Sequence, residues 1–264
     1  MTSHTELAFE SAIEHGLITG DRYAKGDPAG FDSATALFPE DVIGFIRTSQ
    51  LARWDQLEAM LKDRTAATII ECLTKELASK GTLGVLRHGF KCYGKELRLA
   101  YFQPNSGMNP ESAARYAANR LTITRQVSFT SNVLKKPDGT PRKCILDVVL
   151  SVNGLPVVTA ELKNPLTGQR AEDACKQYMN DRDGRDPLFR FKERALVHFA
   201  VDPDEAWMAT ELKGTETVFL PFNRGHNLGA GNPPVEGNWK THYLWDEVLC
   251  ADSLLDILQR FMHL

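Results

Sequence analysis

The chain has 264 residues, 42% hydrophobic and 25% charged, with a formal net charge of −3. That balance places it among ordinary globular proteins with enough chain for a large core. No apolar run approaches the roughly 18 residues of a membrane span, the acidic start MTSHTELAFESAIEHG has no signal-peptide core, and five scattered cysteines without a CxxC pair argue against a zinc site or a disulfide framework. A reducing, cytoplasmic setting is the expectation.

In chain order, 6–18 (ELAFESAIEHGLI) has the apolar spacing of a helix, and 24–33 is a loop. Two or three helices are predicted within 39–80, with Pro39 near one start and Gly81 as a C-terminal stop. LRLAYF (97–102) reads as a strand, QPNSGMNPES (103–112) as a loop, AARYAANR as a short helix and LTITRQVSF (121–129) as an alternating strand. A turn-rich basic connection, KKPDGTPRK (135–143), precedes two apolar strands joined at Asn153-Gly154. A helix over about 170–181 is broken by DGRDP. ALVHFAV (195–201) is a buried strand, AWMATEL and TVFLPF are shorter ones, 223–238 is a long Gly/Asn/Pro loop, and SLLDILQRF (253–261) is a closing helix. The order argues α/β: a central mixed, mainly antiparallel sheet flanked by helices, with an N-terminal helical part. A single domain over 1–264 is expected, mainly helical to about 95, with its core over about 96–222 and a loop and closing helix over about 223–264.

The segment Arg142 to Pro165, RKCILDVVLSVNGLPVVTAELKNP, carries charges where buried strands should have none: Asp147, Glu161 and Lys163. A charge in an apolar strand costs several kcal/mol unless it is paired or binds a metal. Alternation puts Glu161 and Lys163 on one side of their strand. A regular two-residue turn at Asn153-Gly154 would place Asp147 opposite Ala160. One extra residue would set it opposite Glu161. Pro156 cannot donate to the ladder, so a bulge or wider loop is predicted near Gly154-Leu155-Pro156. Charge agrees with a polyanionic substrate here. From Arg120 to Arg194 there are 14 Lys/Arg against 9 Asp/Glu, or +5, and the remainder has 17 against 25, or −8.

Two carboxylates and a lysine suit metal-dependent phosphodiester hydrolysis. Asp147 and Glu161 offer hard oxygen ligands for Mg²⁺, with Mn²⁺ as an alternative, and the Leu162 carbonyl could complete the shell. The ion would polarise the phosphate and lower the pKa of a bound water, while Lys163 orients that water or neutralises developing charge. As a bare pattern the trio is weak, and a hairpin with a surface Glu/Lys pair and a solvent-facing Asp is the plain alternative.

ILDVVLSVNGLPVVTAELKNP closely resembles the nuclease core of the R subunit of type I restriction enzymes, within the PD-(D/E)xK nuclease superfamily. GTLGVLRHGF, YFQPNSGMNPES, NRLTITRQVSF, DPLFRF, ALVHFAVD, FLPFNRGHNLGAGNP and YLWDEVL resemble further family segments in the expected order. The resemblance implies a restriction-endonuclease-like core and places the catalytic triad on Asp147, Glu161 and Lys163. It also implies a glutamate on the first helix, for which Glu10 is the best match and Glu6 the runner-up. The motif proline is Leu146 here. The family's Gln-x-x-x-Tyr element gives Gln177 as an organiser of the site or a DNA contact. The fourth residue after it is Asp181, and Tyr178 is adjacent instead.

The implied activity is that of a type I site-specific deoxyribonuclease acting on double-stranded DNA. The implied partners are the motor part of the R subunit and the methyltransferase and specificity subunits, with no membrane. The sequence has no G-x-x-x-x-G-K-[ST] loop, so ATP binding is not expected of this fragment. Cleavage by the isolated domain is expected to be weak or absent, since the family couples cutting to translocation. Arg182, Arg185, Arg190 and Lys192 follow the 170–181 helix and are candidate phosphate contacts. His198, in an apolar strand, is expected to be a core histidine, and His88 has no assigned role. The alternatives are a non-catalytic DNA-binding or docking module that keeps the fold, and a repair or resolution nuclease of the same superfamily.

Overall fold

The computed structural model describes residues 3–20, 22–104, 109–130, 144–164, 166 and 168–263, with side chains described from residue 8. The basic connection at 135–143 and the tip of the 103–112 loop lie outside the described residues, as does the side chain of Glu6.

Helix α1 (Ser3–Thr19) leads into a short strand β1 (Tyr23–Lys25), which lies partly within the expected 24–33 loop. Helices α2 (Pro39–Ser49), α3 (Leu51–Leu61) and α4 (Thr65–His88) follow. Pro39 with Glu40 and Asp41 opens α2, a fixed φ and two negative charges at the positive end of the helix. Gly81 does break α4, with φ 71 and ψ 168, but the chain resumes the helix to His88. A side chain at Gly81 would meet the Lys192 carbonyl at 2.9 Å, and that carbonyl accepts the Thr82 N–H at 2.6 Å.

A two-stranded ribbon, β2 (Phe90–Cys92) and β3 (Lys95–Leu97), comes next. The strand expected over 97–102 ends at Leu97. Beyond it, side-chain amides replace a ladder. The Arg98 N–H and C=O pair with the Gln50 side chain at 2.8 and 2.9 Å, and Tyr101 pairs in the same way with Asn119.

After α5 (Pro110–Ala117) come β4 (Leu121–Ser128), β5 (Ile145–Val152), β6 (Leu155–Leu162), α6 (Ala171–Asp181), β7 (Val197–Val201), β8 (Ala206–Ala209), β9 (Leu220–Pro221) and α7 (Ala251–Asp256), which continues as a wider turn over Ile257–Phe261. The main sheet has seven strands in the order β1-β4-β5-β6-β7-β8-β9. β1 is parallel to β4 and β6 to β7, and the other neighbours are antiparallel. This is the expected mixed, mainly antiparallel sheet flanked by helices.

The two inner strands are covered on both faces. Phe9, Ile13 and Leu17, spaced by four on α1, are buried in one cluster with Val148, Leu150, Val158 and Ala160. On the other side Val149 is buried with Tyr178 of α6, Phe129 and Phe189. Any charge on β5 or β6 is therefore surrounded by apolar neighbours. Among the described residues no helix is long and apolar enough to cross a membrane.

Candidate active site

The β5–β6 hairpin turns on Asn153 and Gly154, both at positive φ (49 and 83), with Val152 paired to Leu155. This is a tight two-residue turn whose twist matches that of the strands. Glycine is required, because a Cβ on Gly154 would lie 2.5 Å from the Phe38 carbonyl. Asn153 locks the turn by accepting the Arg120 N–H at 2.6 Å and donating to the Leu99 carbonyl at 2.8 Å. The predicted irregularity lies inside β6 rather than in the connection. Ser151 pairs with Pro156 but Leu150 pairs with Val158, so Val157 is the extra residue. From there the register is advanced by one. Val148 faces Ala160, and the same register continued sets Asp147 against Glu161.

The ladder stops at Val148–Ala160, and side chains take over. Oδ2 of Asp147 accepts the Leu162 N–H at 2.8 Å, the position a β5 carbonyl would fill in an unbroken pair. On the other flank Gln126 of β4 stands opposite Asp147, between the pairs Arg125–Val148 and Val127–Leu146, at φ 55. Positive φ at a glutamine is a strained backbone state that persists only where its surroundings enforce it. Its amide donates to Glu10 Oε1 at 3.1 Å and lies 3.5 Å from Asp147 Oδ1.

Glu161 is fully buried. Arg182 donates through Nε and Nη2 to its Oε1 at 2.9 and 2.5 Å, and Gln177 donates to its Oε2 at 2.9 Å. Burial and then the Asp147 charge push its pKa up to about 8, against the lowering effect of Arg182 and Lys163. Lys163 is buried just past the end of β6, where its N–H bonds the Val201 carbonyl. Glu10 is also buried. Desolvation raises its pKa, the Arg125 bonds lower it and Asp147 raises it. Helix α6 is fixed at its start by Asp202, whose carboxylate accepts the Ala171 N–H at 2.9 Å.

The structure thus gathers Asp147, Glu161, Lys163, Gln177 and Glu10 around one point of the sheet. It moves Arg182 out of the group expected on the surface, because its side chain is spent on Glu161, on the Ile145 carbonyl at 3.0 Å and on the Phe129 ring. Arg185 is exposed and paired with Asp183. Arg190 is exposed beside Glu193. Lys192 lies against α4 near Gly81. Tyr178 turns away from the carboxylates and shares the Thr159 hydroxyl with His198, at 2.8 Å from each. His198 is the expected core histidine, fully buried, its pKa lowered by desolvation to about 3. Two participants went unassigned in the sequence. Arg125 carries the same signal as Asp147, a charge inside an apolar strand. Gln126 carries none, since nothing local marks a glutamine for positive φ.

Among the described residues no group of three or more His, Cys, Asp or Glu side chains is arranged to hold a metal ion. The available donor set is the pair Asp147 and Glu161, and the Asp147 charge adds to burial in raising the pKa of Glu161. That pair fits an ion that takes one or two carboxylates and keeps its waters. Residues 55–217, more than half of the chain, match the family model described as the type I restriction enzyme R protein N terminus. This span includes every residue of the site except Glu10. No curated protein matches the chain.

Proposed function

Because the chain belongs to the family of type I restriction enzyme R protein N termini, we propose that it is the metal-dependent double-stranded DNA endonuclease module of such a subunit. The observation that carries this reading is the Val157 bulge, which brings Asp147 level with Glu161 in the middle of an apolar sheet. A scaffold has no use for two mutually repelling buried carboxylates, whereas a cation between them converts the repulsion into binding. Asp147 and Glu161 would hold Mg²⁺ or Mn²⁺, and the bound ion would supply phosphate polarisation and a more acidic water.

The rest belongs to this chain's own groups. The Leu162 N–H fixes the Asp147 carboxylate. Arg182 and Gln177 fix Glu161 through one bond pattern on each oxygen. Glu10, Arg125 and Gln126 brace Asp147 from the α1 side. Lys163 shares the side of β6 that carries Glu161, and its ammonium is suited to orient the attacking water and offset charge on the phosphate. The motor part of the R subunit and the methyltransferase and specificity subunits are the proposed partners.

The test belongs in the assembled enzyme. Asp147→Ala, Glu161→Ala and Lys163→Ala should each abolish double-strand cutting while ATP-driven translocation continues. Full cutting by any of the three sinks the assignment. One observation favours a second reading, a DNA-binding or docking module without catalysis: both Glu161 oxygens are already engaged by Arg182 and Gln177. A Mn²⁺ titration separates the two. The nuclease reading expects binding that Asp147→Ala removes, and the docking reading expects none.

A further inference from the structure

Away from the carboxylates, a cavity of about 610 Å³ opens between the α2–α3 junction, the end of α4, the 96–102 segment and α5. Arg53, Arg87, Arg98 and Arg115 line it with a single acid, Glu96, and Tyr101 and Phe102 form part of the wall. Arg87 also lines a second hollow of about 270 Å³, together with Lys80 and Lys192 and no carboxylate. The two hollows share Arg87 in their walls and together present six basic residues against one acidic, on a chain whose net charge is −3.

Some of that charge is already answered. Arg115 pairs with Glu111 and Lys80 with Glu76. Among the described residues Arg53, Arg87, Arg98 and Lys192 form no ion pair. Two of these are nevertheless held in place by main-chain carbonyls. Arg87 donates to those of Leu258 and Met262 at 2.8 Å each, and Arg98 to that of Arg87 at 3.1 Å. The wall is fixed too, because the Gln50 amide clamps the main chain of Arg98. Positioned, uncompensated cations beside half-buried aromatic rings are what a nucleic-acid strand requires, phosphates on the cations and a base on a ring face. A free nucleotide needs one hollow, but only a polymer follows both.

We propose that these adjoining hollows, with Arg87 between them, form a track for a DNA strand, separate from the catalytic carboxylates; the choice of DNA rests on the functional reading above. The larger hollow lies at the turn end of the hairpin, where Asn153 bonds the Leu99 carbonyl. Asn153 is about 20 Å from Asp147 along β5 at the usual strand rise. The track lies largely outside the basic 120–194 segment of the sequence. Arg53, Arg87 and Arg98 come from the net-acidic remainder and are gathered only by folding.

The test uses the whole chain in metal-free buffer, with labelled single-stranded and duplex oligonucleotides read by fluorescence anisotropy across a salt series. The variant is the triple Arg53→Gln, Arg98→Gln and Lys192→Gln, all exposed positions, so an unchanged thermal melt is the folding control. The expected result is DNA affinity lower by about tenfold or more and a log–log salt slope shallower by about two, with Mn²⁺ binding unchanged. A triple variant that binds DNA as the wild type does overturns the track and leaves the nuclease reading standing. Wild-type protein that binds no DNA overturns the track as well. Displacement of the labelled strand by adenosine monophosphate at equal phosphate concentration overturns it in favour of a free nucleotide. Loss of DNA binding in the triple variant, in a protein that binds no Mn²⁺, supports the track and removes the nuclease reading.

Discussion

Two buried carboxylates flank Asp147, and they are held by the same pattern. On Glu10, Arg125 places Nε and Nη2 on one oxygen at 3.0 and 2.7 Å, and Gln126 serves the other. On Glu161, Arg182 places Nε and Nη2 on one oxygen and Gln177 serves the other. The difference lies in the surroundings. The Glu161 and Arg182 side chains are wholly buried, whereas Arg125 is 17% exposed and also bonds Glu14 and Ser11. Glu161 therefore has one directly paired cation inside an apolar shell, and Glu10 shares a partly exposed one at the rim. A sealed pair of this kind fixes geometry at a high desolvation cost. The rim pair can adjust when something enters beside Asp147.

Removing one arginine from each pair breaks the symmetry most. Arg182→Met leaves a buried carboxylate without its paired cation, held only by the Gln177 amide, and should cost about 3–5 kcal/mol of unfolding free energy. Arg125→Met, with water within reach, should cost roughly 1–2 kcal/mol. The sign of the pH dependence follows from linkage. Burial already holds the Glu161 pKa near 8, above its ordinary value of 4.5, so folded protein keeps a proton that unfolded protein loses. Stability from this group is fully present below about 4.5 and declines as pH rises toward 8. Loss of Arg182 raises that pKa further, so the Arg182→Met deficit should widen with rising pH. Urea unfolding at two pH values, one below 4.5 and one above 8, measures both effects. Equal costs for the two arginines would break the comparison.

The two glutamines give a smaller and sharper contrast. Gln177→Ala leaves a buried acceptor unsatisfied and should cost about 1–3 kcal/mol, with slower cutting because Glu161 loses its second support. Gln126→Gly removes the amide between Glu10 and Asp147 but relieves the positive φ, an effect of about 1 kcal/mol in the opposite direction. Its melting temperature should hardly move while cutting falls. A Gln126→Gly protein with full cutting in the assembled enzyme would show that the rim pair does not brace Asp147.

How far the sequence could anticipate this site depended on the range of each interaction. Asp147, Glu161 and Lys163 announced themselves because a charge in an apolar strand is a local anomaly. The need for one extra residue followed from alternation alone, and Pro156 placed it to within one position of Val157. The turn stayed tight because Asn153 and Gly154 both accept left-handed backbone, which leaves the strand to absorb the extra residue. Arg182 read as a surface charge because it follows a helix in a polar loop, and its partner is 21 positions away. The 97–102 strand failed for a related reason. The main chain of Arg98 is satisfied by Gln50, 48 positions earlier, and no local pattern records that. Glu10 looks like any helical glutamate, and only the family resemblance singled it out.

Tyr178 tests how completely the Glu161 side is closed. Adjacent residues on a helix point about 100° apart, so Gln177 faces Glu161 while Tyr178 faces the core. Its hydroxyl meets Thr159 there and its ring lies against His198 and Phe219. Burial holds the phenol neutral, its pKa raised well above 10, and the Glu161 charge adds to that shift. Tyr178→Phe removes one neutral hydrogen bond, and Thr159 keeps its contact with His198 Nδ1. The expected cost is about 0.5–1.5 kcal/mol, below that of Gln177→Ala, with cutting unchanged in the assembled enzyme. Gln177→Ala should show the reverse signature, since the glutamine touches the carboxylate. If Tyr178→Phe instead slowed cutting as much as Gln177→Ala, the boundary between site and core would lie beyond Thr159, and the Glu161 pair would be less sealed than its burial indicates.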